Sequence, residues 1–448
     1  MIRPLPDLTQ ALLSAAKRAG ADAADAIAVS ASSISIDIRH GALEQAERSE
    51  GTDLGLRVLI GRRQACVSAS DTRDETIAEM AARAVAMARE APEDPYAGLA
   101  EPGDVVRNGT AEGLDLCDPA EEPAPATLQD MAVRAEAAAL ENAGVSQVQS
   151  ASAGYGAREF HMAATNGFSG GYARTSTSVS CVAISGEGLG MERDYDGDSR
   201  IYATDLRSPE EIGARAAERA VERRAPRKPA TGAYPVLFDE RISSSLIGHV
   251  LAAASGSAVA RGSSWLRGRL GEVILPEALS ITEDPHRPRV GNSRLFDAEG
   301  LATRPRDIVR DGVLQGWTMD LATARQLGLQ STANATRGTS APPSPSNWNI
   351  ALTQGTASRE ELIRDMGTGL LVTSLIGATI NPNTGDYSRG ASGFWIENGE
   401  IAYPVNECTI AGNLLEVLPR LTPANDARSW LSTVVPSLLV EGLTLAGN

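Results

Sequence analysis

The sequence predicts an α+β protein in two parts: an amino-terminal α/β domain with a mixed sheet, and a strand-rich carboxyl-terminal α+β domain. Three observations carry this. The first half alternates segments of helical and strand periodicity. A basic, proline-containing stretch, 223–232, interrupts the chain near its middle, which places the boundary at 1–225 and 226–448. After it, β-patterned runs dominate, and Asp311-Gly312 and Asn398-Gly399 sit between such runs as hairpin turns.

The elements follow in order. Asp7 can cap a helix over 8–19, with Leu8, Ala11, Leu12 and Ala15 on one face and Gly20 as its stop. Residues 26–39 alternate through Ile27, Val29, Ile34, Ile36 and Ile38, which is strand spacing, and 54–70 reads as two more strands around a polar turn at Gly61-Arg62-Arg63. A second amphipathic helix covers 74–90. Residues 93–125, rich in Pro, Gly, Asp and Glu, form a long surface connection. A third helix covers 128–142, and 147–185 returns to strand. Ser208-Pro209-Glu210-Glu211 is a capping box with proline at the first helical position, opening a helix to about 224. Tyr234–Phe238 is a short strand of the fully buried type, and 337–349 is a Pro/Ser-rich loop.

Composition removes several functions. The 448 residues hold 41 Lys+Arg and 57 Asp+Glu, a net charge of −16, and no basic cluster is interleaved with aromatics, so nucleic-acid binding is not expected. No apolar run reaches the roughly 18 residues of a membrane span, and the amino terminus lacks the apolar core of a signal peptide. Cys66, Cys117, Cys181 and Cys408 lie far apart without a CxxC, as expected of reduced thiols in a cytoplasmic protein. Neither Lys17 nor Lys228 stands in a GK[ST] phosphate loop.

Isolated motifs are weak. Gly186–Gly190 lacks the GxGxxG spacing. Gly167-Phe168-Ser169-Gly170-Gly171 matches GxSxG, but 172–185 reads as strand, whereas a nucleophile elbow needs a helix after the serine. His249 sits on a helical stretch after Ser243-Ser244-Ser245. A lone imidazole of that kind is usually a hydrogen-bonded structural residue.

Longer stretches are specific. Asn381-Pro382-Asn383-Thr384-Gly385-Asp386-Tyr387-Ser388-Arg389-Gly390-Ala391-Ser392-Gly393-Phe394-Trp395 runs on through Glu397-Asn398-Gly399 to Thr409-Ile410-Ala411-Gly412-Asn413. Together with 295–300, 324–329 and the closing 436–447, it resembles the TldD/PmbA family, on the PmbA (TldE) side. The resemblance spans essentially the whole chain.

It implies the following. TldD proteins are zinc metallopeptidases with an HExxxH helix and a later cysteine ligand. PmbA/TldE proteins are paralogous partners that lack the ligands and pair with TldD around a chamber in which unfolded or short peptides are cleaved. Carried over to this chain, the first zinc histidine falls on Ser244 and the catalytic glutamate on Ser245, and only His249 survives. No cysteine lies in 430–435, and Cys408 does not match the ligand position. Two hydroxyls and one imidazole cannot replace three ligands and a general base. The expectation is no catalytic residue and no metal in this chain, with zinc in the partner subunit.

The expected partners are a TldD-like subunit or a second copy of this chain, and a peptide. The segment around Asn334, Arg337 and Asn347 corresponds to a family region near the substrate cleft. Arg337 and Arg389 are candidates to hold a peptide carboxylate, or equally to form structural ion pairs. Two alternatives remain open: a homodimeric peptide-binding scaffold, and a metal-independent hydrolase using Ser169 or His249.

Overall fold

The computed structural model describes residues 3–447. The amino-terminal half is built on six strands, β1 (Ala23–Arg39), β2 (Ala42–Ile60), β3 (Arg63–Ala69), β4 (Val145–Ala164), β5 (Ser169–Ser185) and β6 (Glu192–Arg200). They are ordered β3-β2-β1-β4-β5-β6, and every neighbouring pair is antiparallel. Helices α1 (Leu5–Ala19), α2 (Asp74–Glu90), α3 (Pro125–Leu140) and α4 (Pro209–Glu222) cover one face.

The parity of β1 explains this layering. Ala24, Ala26 and Ala28 pack under α1 and α2, with Leu8, Leu12, Ile77 and Met80. Ile34, Ile36 and Ile38 pack under α3 and α4, with Leu128, Ala132, Ile212 and Ala216. All six are even-numbered, so they project to the same side of the strand. One long strand thus carries two helix pairs end to end. The odd residues Ile27 and Val29 face the other way and join Phe168 and Phe296, where the carboxyl-terminal half docks.

That half starts with β7 (Gly232–Phe238) and α5 (Ser244–Ala253), and continues to β8 (Gly369–Ile380), β9 (Asp386–Glu397), β10 (Glu400–Asn413) and β11 (Leu438–Ala446). The order is β10-β9-β8-β7-β11, and β11 pairs back onto β10 at Thr409–Ala446, so the sheet closes on itself. β7 and β8 run parallel. Val236 and Phe238 enter the largest core while Leu237 enters a second one with Leu371 and Phe394, so β7 is buried on both faces. A smaller five-stranded sheet also contains one parallel pair, Ile350–Leu352 against Thr433–Val434. The mixed sheets therefore lie in the carboxyl-terminal half, and the hairpin-linked strands of the amino-terminal half are antiparallel throughout.

The connection over 93–125 lies across the carboxyl-terminal half: Val105 bridges Leu301, and Arg325 donates to the carbonyls of Tyr96 and Leu99 at 3.0 and 2.7 Å. Among the described residues no helix is long and apolar enough to cross a membrane.

Candidate functional site: a cleft between the two halves

A cleft of about 1020 Å³ lies between the β4–β6 side of the first sheet and the closed sheet of the second half. α5 reaches it with its first turn. Its apolar residues Leu246, Ile247, Val250 and Ala253 repeat at helical spacing and bury against Phe238 and Val372. Ser244 and Ser245 line the cleft, and His249 follows Ser245 one turn on, on the same side of the helix.

The lining carries four arginines, Arg193, Arg223, Arg241 and Arg389, against two carboxylates, Glu192 and Asp194. The acids are already matched. Asp194 receives Arg241 at 2.9 Å and Arg223 at 3.4 Å, and Glu192 lies 3.8 Å from Arg223. Arg241 also pairs with Asp239 at 3.1 Å, and Arg223 donates to Ser392 at 2.8 Å. Arg389, on β9, has no ion pair or hydrogen bond among the described residues, and its Nε is buried without a partner.

Ser245 and Thr373 line the cleft with Arg389, and His249 and Tyr387 feel its charge. Ser245 Oγ, His249 Nε2, Thr373 Oγ1 and Tyr387 OH are all out of solvent contact without a hydrogen-bond partner. The His249 and Tyr387 rings meet edge to face, with centroids 5.8 Å apart. Burial, then the charge of Arg389, pushes His249 down to about 4, so the imidazole is neutral at neutral pH. Burial pushes the Tyr387 phenol up to about 12, and Arg389 opposes it.

These residues do not fit a catalytic zinc ion. Ser244 and Ser245 supply no imidazole or carboxylate, and a guanidinium stands close enough to depress His249. Among the described residues no group of three His, Cys, Asp or Glu side chains could hold a metal. Cys408 donates its thiol proton to the Ala391 carbonyl at 3.1 Å, and burial pushes it up to about 11, so it stays a thiol.

The other predicted residues lie elsewhere. Asn334 is fully buried; its amide donates to Glu283 at 3.1 and 3.2 Å and to the Ser346 carbonyl at 2.8 Å. Asn347 donates to the same carboxylate at 3.3 Å and to Thr318 at 2.9 Å, while Arg306 and the Trp348 N–H reach it at 2.6 Å each. Glu283 is thus a saturated buried acceptor that ties the loop over 334–348 to the small sheet. Arg337 pairs with Asp25 of β1, and burial pushes its guanidinium down to about 10. Only Arg389 of the four lines the large cleft.

Ser169 opens β5, and the chain continues as strand. Its Oγ lies 3.2 Å from His161 Nε2, and His161 Nδ1 lies 2.8 Å from Thr9 Oγ1. Thr9 gives its proton to the Pro6 carbonyl, so Nδ1 must carry the donor and Nε2 must accept from Ser169. The chain of bonds pins α1 to the sheet.

Sequence reasoning missed Thr373, Arg223, Arg241 and Asp194. The alternating acids Glu192, Asp194 and Asp196 in β6 were the available signal, since strand spacing aims them at one side. Nothing local marks Thr373.

Comparison with known proteins shows the family. Profiles of the PmbA/TldA metallopeptidase domain 1, central domain and C-terminal domain match residues 24–88, 118–224 and 231–447. Metalloprotease PmbA of Escherichia coli is 38% identical over 95% of this chain and 93% of that one. The chain belongs to the PmbA/TldD family, on the PmbA side. A PmbA homolog of Haemophilus influenzae is 34% identical, over 97% of this chain and 94% of that one. A Bacteroides thetaiotaomicron structure titled as a modulator of DNA gyrase superposes with a TM-score of 0.91 at 28% identity, covering 99% of this chain and 98% of that one. TldE of Thermococcus kodakarensis shares the PmbA-type fold, with a TM-score of 0.85 at 21% identity over 98% and 100% of the two chains.

Proposed function

We propose that this PmbA-side chain is the non-catalytic, TldE-like subunit of a cytoplasmic TldD–TldE-type zinc metallopeptidase that degrades or processes unfolded or short peptides. The observation that carries the reading is a lone imidazole, His249, that has the positive charge of Arg389 nearby in place of further ligands. The zinc and the attacking water then belong to the partner. This chain shapes the compartment and holds peptide in its cleft.

The test is affinity purification from the native cell, followed by zinc analysis and peptidase assay of each fraction. The expected result is a second chain carrying HExxxH, chelator-sensitive cleavage by the pair, and well under one zinc per isolated chain. Near-stoichiometric zinc and chelator-sensitive cleavage by the isolated chain overturn the proposal. Recovery of a self-pair without peptidase activity points to a homodimeric scaffold. The bond chain Ser169–His161–Thr9 favours a metal-independent hydrolase as the second reading. That reading requires chelator-insensitive cleavage by the isolated chain, abolished by Ser169→Ala.

A further inference from the structure

The cleft is rich in donors and short of acceptors. Of the thirteen buried side-chain atoms without a hydrogen-bond partner among the described residues, three belong to residues lining the cleft, Ser245 Oγ on α5, Thr373 Oγ1 on β8 and Arg389 Nε on β9, and two more, His249 Nε2 and Tyr387 OH, belong to residues outside the lining that feel the charge of Arg389. The three in the lining are two hydroxyls, each able to donate or accept, and one guanidinium N–H, which can only donate. Buried polar atoms left without partners cost stability, and a native protein rarely keeps three along one cleft without a use.

Charge points the same way. In a chain of net charge −16, the cleft lining holds four arginines against two acids. Arg223 and Arg241 are committed to those acids, Arg193 donates to Gln149 at 3.3 Å, and Arg389 is left without a partner among the described residues. Thr373 is 6% exposed, so its hydroxyl is fixed by its surroundings rather than free to turn to bulk water. The first turn of α5, with Ser244 and Ser245, lines the same wall and adds the positive end of a ten-residue helix. Guanidinium, hydroxyls and helix start together complement a planar oxyanion with several lone pairs.

We propose that Arg389, with Ser245 and Thr373, forms a carboxylate subsite that anchors a peptide substrate by an anionic group in this cleft. It rests on the peptide-handling reading above and adds the chemistry of what is recognised. A carboxylate reaches the cleft from two sources, the free carboxyl terminus of a peptide or an acidic side chain.

The test is fluorescence anisotropy on the isolated full-length chain with three amino-terminally labelled probes: tetra-alanine as the free acid, tetra-alanine amide, and the amide with glutamate as its last residue. The expected order is free acid bound and tetra-alanine amide at least about tenfold weaker, the size of one charge-assisted hydrogen bond. Binding of the glutamate amide as tight as the free acid assigns the subsite to any carboxylate, and its failure assigns it to the carboxyl terminus. Arg389→Gln is expected to weaken free-acid binding by about ten- to a hundredfold, Arg389→Lys by less. Ser245→Ala, a smaller change, gives a few-fold loss and serves should R389Q not fold. Equal binding of acid and amide, no binding of any probe, or unchanged affinity in R389Q and S245A overturns the subsite. These titrations contain no partner chain and no zinc, so their outcome is independent of whether a TldD-like subunit is recovered.

Discussion

His249 illustrates how one side chain can keep its place and change its chemistry. Its imidazole lies on the face of α5 that meets β9, where burial and Arg389 both oppose protonation, giving a value of about 4. An unfolded chain would protonate near 6.5. The unfolded state therefore binds the extra proton first. His249 contributes fully to stability above pH 6.5 and loses that contribution as pH falls from 6.5 through 4. An NMR titration is expected to show the His249 ring unchanged from pH 8 to 6 and titrating near 4. In Arg389→Gln the midpoint rises only part of the way back, because burial is the larger cause. A midpoint near 6.5 in the native protein would mean that Arg389 and the apolar wall do not enclose the ring.

At the scale of elements, periodic and capped segments were legible and polar ones were not. The Ile-rich alternation of β1, the hairpin turns at Asp311-Gly312 and Asn398-Gly399, and the helices over 74–90 and 209–222 all follow from local chemistry. Ser208 caps α4 by accepting from Glu211 N at 3.1 Å, while the full reciprocal box forms instead at Ser358–Glu361. Residues 42–53 of β2 escaped notice because Glu44, Gln45, Glu47, Arg48 and Glu50 are exposed on both faces, so no apolar alternation marks them. They are strand because β1 pairs with them along its length. Close packing is equally silent in sequence. Gly213 lets α4 lie against α3, where an added Cβ would overlap the Ala135 carbonyl oxygen. Gly213→Ala improves helix propensity, yet is expected to lower stability by about 1–3 kcal/mol through overpacking. Urea denaturation reads the sign: a stabilised variant would mean that the two helices separate freely.

At the scale of the whole molecule, the cleft exists only because the two halves are held in register, and a buried charge cluster contributes to that hold. Arg337, in the loop after the small sheet begins, crosses to Asp25 on β1, which Arg57 of β2 also contacts at 2.5 Å. Asp25 and Arg57 are 5% and 4% exposed, and Thr339 lies against Gly55 of β2, so the loop is seated in the first sheet. No spacing rule joins positions 25, 57 and 337, which is why the candidate role of Arg337 was visible in the sequence but its partner was not. The asymmetry of the cluster makes a prediction. Asp25→Ala removes the carboxylate that both buried guanidiniums contact and is expected to cost about 3–5 kcal/mol. Arg337→Ala costs less, because Arg57 still neutralises Asp25. Both are read as shifts in the urea midpoint at constant slope. If Arg337→Ala cost as much as Asp25→Ala, loop packing rather than charge would be what locks the halves. Cleft residues would then lose probe binding in proportion to that loosening, while Arg389→Gln would lose it with the urea midpoint unmoved.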